Sequence, residues 1–377
     1  MGLADEILHG LYAYGYENPS RIQTLGIVPI AKGRDIVAQS QSGTGKTATF
    51  VIGALQQMVN TGTVSDGMPR LLILEPTREL ALQSAGVVED LGSYLDVGVT
   101  TCIGGLRRWD NISELRRKRP GVVVGTPGRV LDLAGAGELD LSAINRLVLD
   151  EADEMLSMGF VEAMYEVVRQ LSDAATIALV SATLDDGVLA IADKMLRSPV
   201  RILLERDEVT LEGIDQYYVM VERQEHKLST LLDLYATISV SQTVIFCNTR
   251  HGVEALAAAL DAEDHTVAYV HSEMPLEERR DILAAFSTGA ARILLATDLL
   301  ARGIDVQSVS LVINYDMTRN NRENYVHRIG RGGRFGRKGV AISFVQPADT
   351  REVRDIEAFY ATTIHPLPAA LDTVFAR

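Results

Sequence analysis

The stretch Ser40-Gln41-Ser42-Gly43-Thr44-Gly45-Lys46-Thr47 determines how the chain folds. It follows the run Asp35-Ile36-Val37-Ala38, which predicts a buried strand, and it precedes residues 48–58, which predict a helix. A glycine loop between a strand and a helix that opens with Gly-Lys-Thr is typical of a phosphate-binding loop. The glycines let successive backbone N–H groups point into one concavity, and the helix adds the positive end of its dipole. Lys46 would then reach the terminal phosphates of a nucleotide, and the Thr47 hydroxyl would bind Mg²⁺.

The loop departs from the usual pattern at its first position, where Ser40 stands in place of a glycine. A tight strand-to-helix turn without a ligand therefore stays an alternative when the loop is considered alone. We predict that residues 40–47 bind a nucleotide, and the rest of the chain must indicate the reaction.

Bulk properties exclude several classes of protein. The chain has 377 residues, which suggests two or three domains, and its 47% hydrophobic content favours packed cores over disorder. The two cysteines, Cys102 and Cys247, are far apart, which excludes a disulfide framework and indicates a reducing compartment. The amino-terminal segment contains acidic residues and does not resemble a signal peptide, and no uncharged run is long enough to span a bilayer. We therefore expect a cytoplasmic protein that does not bind membranes, with the nucleus as an alternative location.

The net charge of −14 argues mildly against nucleic acid, because phosphate contacts need Lys and Arg. The distribution of charge matters more than the sum, since basic residues cluster in two segments, 107–119 and 319–338. The first cluster has a solvated helix face as its alternative explanation. The second is interleaved with glycines, which a solvated helix would avoid.

Apolar runs alternate with amphipathic stretches along the whole chain. Continuous apolar strands separated by helices predict an α/β fold with parallel sheets covered by helices on both faces. The helix-length patterns include residues 78–91 and 160–171. The candidate strands are 71–74, 99–103, 122–124, 147–149 and 177–180, followed by 217–221, 243–247, 266–270, 293–296, 310–313 and 340–345.

A charged segment that ends in glycine, residues 205–213, separates two series of strands. We interpret it as a linker between a first domain, residues 1–204, and a second domain, residues 214–377. Only the first domain carries a phosphate-binding loop.

An acidic segment, Asp150-Glu151-Ala152-Asp153, follows the predicted strand 147–149. A carboxylate at the carboxyl end of a parallel strand beside a phosphate loop is where such NTPases hold Mg²⁺. We predict that Asp150 binds the ion through water and that Glu151 orients and deprotonates the attacking water.

The second domain contains arginines spaced three apart, with glycines between them. Arg328, Arg331 and Arg334 could contact one polyanion without crowding. We interpret Arg328 and Arg331 as candidate arginine fingers that act on the nucleotide of the first domain, where such a finger accelerates hydrolysis by about 10³ or more.

These motifs, in this order over nearly the whole chain, resemble the DEAD-box family of ATP-dependent RNA helicases. Within the family, the chain is most similar to the subfamily of eukaryotic translation initiation factor 4A. The stretches that carry the resemblance are 15–23, 40–47, 76–80, 104–105, 126–129, 150–153, 181–183, 244–250, 296–305 and 327–334. The resemblance implies two tandem RecA-like domains.

The resemblance also implies roles for individual residues. Gln23 would pair with adenine, which makes ATP the nucleotide, and Tyr16 would contact the base. The second domain would bring Gly303, Asp305, Arg331 and Arg334 to the nucleotide. Coupling of nucleotide state to strand separation would use Asp153, Ser181, Ala182 and Thr183. The residues that would contact RNA are Pro76, Thr77, Arg78, Gly104, Gly105, Thr126, Pro127, Gly128 and Arg129 in the first domain, and Thr249, Arg250, Arg279 and Thr297 in the second.

From the resemblance we expect an RNA-stimulated ATPase that separates short RNA duplexes, with ATP and Mg²⁺ as cofactors. Contacts to the RNA backbone imply little sequence specificity for single-stranded or short duplex RNA. Translation-initiation scaffold proteins are candidate partners of a monomer. An ATP-gated RNA clamp with slow hydrolysis and a DNA helicase stay as alternatives.

Several features depart from the family pattern. Glu75 stands where alanine is common, and Leu276 stands where glutamine is common, three residues before Arg279. The segment 316–321 lacks a usual proline and is one residue longer than expected. The family's aromatic residue that stacks on adenine would lie before Met1, so we expect the chain to lack this contact.

Overall fold

The structure is a computed structural model, and it describes residues 1–40, 44–203, 214–238, 240–298, 309–318, 322–332 and 339–375. The chain divides into two compact units, Met1–Leu204 and Glu205–Arg377. The predicted linker, 205–213, lies outside the described residues and stays a prediction.

The first unit alternates strands and helices. Its strands are β1 (Ile36–Gln39), β2 (Leu71–Leu74), β3 (Val99–Cys102), β4 (Val122–Gly125), β5 (Arg146–Leu149), β6 (Thr176–Ser181) and β7 (Val200–Ile202). Its helices are α1 (Asp5–Tyr14), α2 (Arg21–Ala31), α3 (Lys46–Asn60), α4 (Arg78–Leu91), α5 (Arg108–Lys118), α6 (Pro127–Gly135), α7 (Ala152–Ser157), α8 (Val161–Gln170) and α9 (Asp186–Met195).

The second unit repeats this alternation. Its strands are β8 (Ile214–Met220), β9 (Gln242–Phe246), β10 (Ala268–Val270), β11 (Ile293–Ala296), β12 (Val309–Asn314), β13 (Gly339–Val345) and β14 (His365–Pro366). Its helices are α10 (His226–Thr237), α11 (Arg250–Ala262), α12 (Leu276–Ser287), α13 (Arg322–Ile329), α14 (Thr350–Tyr360) and α15 (Asp372–Phe375).

Each unit is built on a seven-stranded parallel sheet. The strand order is β3-β4-β2-β5-β6-β1-β7 in the first unit and β10-β11-β9-β12-β13-β8-β14 in the second. All described strand pairs are parallel, so the helices that connect them pack against the faces of the sheets. The predicted α/β class with two parallel sheets is confirmed.

The central strands are buried on both faces, which explains their continuous apolar runs. Every residue of β2 and of β5 is buried, and Leu71 to Leu74 are completely inaccessible to solvent. In the first unit a core cluster joins strand residues such as Leu72 and Leu147 to Met164 of α8 and Ile191 of α9. Burial of this kind contributes about 1.5–3 kcal/mol for each large aliphatic side chain.

The register of the first sheet brings several strand ends to one edge. Leu74 at the end of β2 lies beside Leu149 of β5 and Gly125 of β4. Gln39 at the end of β1 lies beside Ser181 of β6. Because the strands are parallel, the segments that follow them meet at their carboxyl ends, which is where ligands bind in open α/β sheets.

Most predicted elements lie within a few residues of the observed ones, and the differences have local causes. The helix predicted over 48–58 extends over Lys46–Asn60, because Gly45 has a φ of +94° and the chain enters the helix directly after it. The short edge strands β7 and β14 are not among the predicted elements. In the described part of the chain, no helix combines the length and apolar character needed to cross a bilayer.

Candidate active site

The phosphate-binding loop ends at Gly45, which no other residue could replace without a shift. A Cβ atom at this position would lie 2.6 Å from Nε2 of Gln23, and the backbone is in the left-handed region. The departure at Ser40 is accommodated by a hydrogen bond between its hydroxyl and that of Thr44. Gln41, Ser42 and Gly43 lie outside the described residues.

Lys46 and the two acidic residues predicted to act in hydrolysis lie together. Lys46 Nζ donates a hydrogen bond of 2.8 Å to Oε1 of Glu151, and the Lys46 side chain is 5% exposed. Asp150 accepts a hydrogen bond of 2.9 Å from the Glu151 backbone N–H. Glu151 has a φ of 48°, and a non-glycine residue in this region stores about 1–3 kcal/mol of strain.

Burial and mutual repulsion control the charges of this cluster. Burial alone would lower the pKa of Lys46, but attraction to Glu151 and Asp150 outweighs it and raises the pKa above its ordinary value. Burial, with repulsion from Glu151, raises the pKa of Asp150 to about 7, although Lys46 opposes the shift. Asp150 therefore keeps its proton to a higher pH than an exposed aspartate would.

Glu75 is a third acidic residue at the same edge of the sheet, and sequence reasoning gave it no role at the nucleotide site. Its carboxyl group is completely buried at the end of β2 and accepts a hydrogen bond of 2.5 Å from the Ser84 hydroxyl on α4. Burial and then repulsion from Asp150 raise the pKa of Glu75 well above its ordinary value. The sequence marked Glu75 as unusual, because alanine is common at this position in the family. Nothing in the sequence indicated its contact with Ser84.

The residues predicted to couple nucleotide state to strand separation are in direct contact. Asp153 Oδ2 accepts hydrogen bonds from the Thr183 backbone N–H at 3.0 Å and from its hydroxyl at 2.9 Å. The Asp153 backbone N–H donates to the Ser181 hydroxyl at 3.2 Å. The end of β6 and the buried Ala182 that follows it are thereby joined to the acidic segment that contains Asp150 and Glu151.

The predicted adenine contacts line one cavity of about 380 Å³ between α1 and α2. Tyr16 and Gln23 lie in its wall together with apolar side chains such as Ile27 and Ile52. Gln23 is 4% exposed, and its Oε1 accepts a hydrogen bond of 2.8 Å from the Ser20 backbone N–H. This bond belongs to a capping box that begins α2, so the start of the helix fixes the amide in place.

The predicted RNA contacts of the first unit lie in the three segments that follow β2, β3 and β4, including the first turns of α4 and α6. Arg78 packs over the glycine pair so closely that a Cβ at Gly105 would lie 2.4 Å from its Nη1. Arg129 donates a hydrogen bond of 3.0 Å to the carbonyl of Leu106. Thr77 begins α4 by accepting a hydrogen bond of 3.3 Å from the Leu80 N–H. The other predicted contacts in these segments are Pro76, Gly104, Thr126, Pro127 and Gly128.

In the second unit, the predicted contacts to RNA differ in their accessibility. Thr249 caps α11, and Arg250 beside it forms ion pairs with Glu254, at 3.7 Å, and with Glu273. Thr297 is half-buried directly after β11. Arg279 is 3% exposed, and its contact with RNA stays a prediction.

The structure does not support the prediction that Arg328 is an arginine finger. Its side chain is 1% exposed, and it donates hydrogen bonds of 2.6 Å to the Asp316 carbonyl and 2.7 Å to Oδ1 of Asn248. It also forms an ion pair with Asp298 and lies over the ring of Phe246. The guanidinium therefore joins the ends of β9, β11 and β12 within its own unit. Arg331 is 5% exposed and donates to the His327 carbonyl at 3.0 Å.

Comparison with known proteins shows the family. The DEAD/DEAH box helicase profile matches residues 20–191, and the profile of the helicase conserved C-terminal domain matches residues 226–336. The ATP-dependent RNA helicase eIF4A of Scheffersomyces stipitis is 51% identical over 100% of this chain and 93% of its own length. The chain belongs to the DEAD-box family of ATP-dependent RNA helicases.

Other comparisons agree with this assignment of the helicase. The eIF4A protein of Phaeosphaeria nodorum is 52% identical over 98% of the helicase and 91% of its own length. The structure of S. cerevisiae Dbp5 bound to RNA and ADP BeF3 superposes with a TM-score of 0.90 at 34% identity, covering 100% of the helicase and 96% of the Dbp5 chain in that structure. The predicted family and enzyme class are confirmed.

Some residues that the resemblance assigned to the helicase site cannot be placed. Gly303, Asp305 and Arg334 lie outside the described residues, as does the segment 319–321 that contains the expected extra residue. Their roles stay predictions.

Proposed function

We propose that the helicase hydrolyses ATP at the carboxyl ends of β1 and β5, with Lys46 holding the terminal phosphates. The observation that carries this proposal is the buried contact between Lys46 and Glu151, beside Asp150. ATP carries more negative charge than a single carboxylate, so its phosphates would displace Glu151 from Lys46. The released Glu151 carboxylate is then available to deprotonate the attacking water.

The residues present fit Mg²⁺. Mg²⁺ prefers oxygen ligands and keeps several of its waters, and the side chains of Asp150 and Thr47 offer a carboxylate and a hydroxyl oxygen. Burial, with repulsion from Glu151, raises the pKa of Asp150 to about 7, and a bound cation would stabilise the ionised form of this carboxyl group. When bound, Mg²⁺ would neutralise charge on the phosphates. Asp150 would hold it through water.

Adenine would occupy the cavity beside Tyr16 and Gln23. The amide of Gln23 offers both a donor and an acceptor, which matches the edge of adenine and selects ATP over other nucleotides. Because the capping box at Ser20 already orients this amide, it needs little rearrangement on binding.

RNA would lie along the three loops after β2, β3 and β4. Arg78 and Arg129 supply positive charge there, and the exposed glycines Gly105 and Gly128 let a backbone approach closely. Contacts of this kind position phosphates without reading bases, which supports low sequence specificity. The bonds between Asp153 and Thr183 would transmit the state of the nucleotide to the end of β6.

The similarity to eIF4A proteins supports a role in translation initiation. A cytoplasmic monomer that works with scaffold proteins is consistent with this role. The second unit would contribute Arg331 as the finger and Arg334, Gly303 and Asp305 as further nucleotide contacts.

The test is the rate of ATP hydrolysis by the full chain, at a stated salt concentration, with and without single-stranded RNA. We expect RNA to stimulate turnover, and Lys46→Ala to abolish it. A strand-displacement assay on a short duplex separates an active helicase from an RNA clamp with slow hydrolysis. Stimulation by single-stranded DNA equal to that by RNA would contradict the proposal.

A further inference from the structure

Trp109 is the only tryptophan of the chain, and its side chain is 66% exposed. It lies in the first turn of α5, whose buried residues are Asn111, Ile112 and Leu115. The packing of the helix therefore does not use the indole ring. Single exposed apolar residues are common on protein surfaces, so the surroundings of Trp109 must indicate whether it binds a partner.

Positive charge is available at the Trp109 end of α5. Arg107 is exposed and forms no ion pair or hydrogen bond through its side chain with any described residue. Arg108 pairs with Asp132 at 3.1 Å, but both side chains are about half exposed, and such pairs are weak. Asp110 supplies one opposing charge.

At the carboxyl-terminal end of α5, the basic side chains form ion pairs. Arg116 forms a close pair with Glu138 at 2.6 Å, and Arg117 and Lys118 share Glu114 at 3.7 and 3.6 Å. This half of the basic cluster is therefore a solvated helix face with ion pairs, which was the alternative explanation given for the cluster from the sequence. The charge that remains for a ligand is next to Trp109.

The backbone before Trp109 is held against the loops that we propose as the RNA contact surface. Arg129 donates to the Leu106 carbonyl at 3.0 Å and also to Oδ1 of Asn111. Asn111 in turn donates to the Thr101 carbonyl at 3.0 Å, at the end of β3. The first turn of α5, which carries Trp109 four residues after Gly105, is thus joined through Leu106 and Asn111 to Arg129 at the start of α6.

We propose that Trp109 stacks on a base of bound single-stranded RNA while Arg107 contacts a neighbouring phosphate. This inference rests on the proposed path of RNA along the loops of the first unit. Exposed aromatic rings together with positive charge bind single strands without reading sequence, and here Trp109 lies two residues after Arg107. It would add a base contact to a surface that otherwise holds the RNA backbone.

The test uses the fluorescence of Trp109, which no other tryptophan obscures. The full chain is titrated with a single-stranded RNA oligonucleotide and a non-hydrolysable ATP analogue, and binding is measured in parallel by anisotropy of labelled RNA. We expect RNA to quench the emission. We expect Trp109→Ala to bind RNA about 5- to 100-fold more weakly and Trp109→Phe to restore most of the affinity.

Two controls separate stacking from other effects. Tyr94→Ala removes another exposed aromatic side chain of the same unit, 55% exposed, and should leave RNA affinity unchanged. Arg107→Ala should weaken RNA binding. It should also reduce the dependence of affinity on salt concentration by the amount expected for the loss of about one phosphate contact. RNA with abasic sites should bind the parent and Trp109→Ala equally, because no base is left to stack.

The outcomes are distinguishable. RNA binding by the parent without quenching, together with unchanged affinity of Trp109→Ala, would overturn the inference and leave the surface to a protein partner. An equal loss of affinity for normal and abasic RNA in Trp109→Ala would also overturn it. A parent that binds no RNA at all would overturn the proposed function as well.

Discussion

Lys46 Nζ lies 2.8 Å from Oε1 of Glu151, so the cation predicted to hold phosphate and the carboxylate predicted to activate water neutralise each other. Both side chains are largely buried, at 5% and 12% exposure. In the proposed mechanism, the phosphates of ATP would separate this buried ion pair before hydrolysis. The pair would keep Glu151 occupied until phosphate replaces it.

Glu151→Gln should retain ATP binding and lose hydrolysis. The amide has the shape of the carboxylate but is a poor base, and loss of a general base typically costs about 10²–10⁴ in rate. The variant should also bind ATP at least as tightly as the parent, because Lys46 no longer exchanges a charged partner for phosphate. Binding of a fluorescent ATP analogue and single-turnover hydrolysis measure the two effects. Hydrolysis at the parent rate would show that Glu151 is not the base.

Glu75→Gln should change how stability depends on pH. The pKa of Glu75 is raised by burial and by Asp150, so the native protein keeps this proton to higher pH than the unfolded chain. The contribution of Glu75 to the free energy of unfolding therefore falls as the pH rises above the pKa of a glutamate in the unfolded chain, which is about 4.3. Glutamine cannot ionise and still accepts a hydrogen bond from Ser84. We expect the variant to be the more stable protein at pH 8, with a smaller advantage at pH 5.

Urea unfolding of the two proteins between pH 5 and pH 8 measures this difference. Ser84→Ala is the matched control, since it removes the 2.5 Å hydrogen bond and should cost about 1 kcal/mol. Parallel stability curves for the parent and Glu75→Gln would mean that the carboxyl group is ionised in the native protein.

The sequence predicts the parts of this site that depend on strand order and local motifs. Ser40, Asp150 and Ser181 follow apolar runs, and in a parallel sheet the ends of such strands meet at one edge. The pairs Glu75–Ser84 and Arg328–Asp298 could not be predicted, because they depend on how a helix packs on the end of a strand. Arg328 was predicted to be an arginine finger because it belongs to a series of arginines spaced three apart. Sequence spacing does not show that its guanidinium is buried and paired with Asp298.

Thr183→Val should separate ATP hydrolysis from strand displacement. The substitution keeps the shape of the side chain and the backbone bond to Asp153, but removes the hydroxyl bond of 2.9 Å. Because the residues that contact phosphate are unchanged, we expect RNA-stimulated hydrolysis to stay within about threefold of the parent, less than 1 kcal/mol of activation free energy. Displacement of a short duplex should fall more than hydrolysis does. A Thr183→Ser variant, which keeps the hydroxyl, is the control, and an equal fall in both activities would contradict a coupling role.

Arg331→Ala and Arg328→Ala should fail in different ways. Arg331 is the remaining candidate finger, so its loss should reduce RNA-stimulated hydrolysis by about 10³ or more while the protein stays folded. Arg328 holds Asp298, Asn248 and the Asp316 carbonyl together, and its loss leaves a partly buried carboxylate without its partner. Breaking a buried pair costs about 3–5 kcal/mol, and the cost should be at the lower end because Asp298 is 26% exposed.

Thermal unfolding and turnover with saturating RNA, measured on both variants, make this distinction. We expect Arg328→Ala to lower the melting temperature of the second unit by more than Arg331→Ala does, because Arg328 is the ion-pair partner of Asp298. Arg328→Lys tests the geometry of the contact, since an ammonium keeps the charge but cannot make the several directed bonds of a guanidinium. It should be nearly as unstable as Arg328→Ala. An Arg328→Ala protein that is as stable as the parent but inactive would restore Arg328 as a finger, and equal turnover of Arg331→Ala and the parent would remove Arg331 from that role.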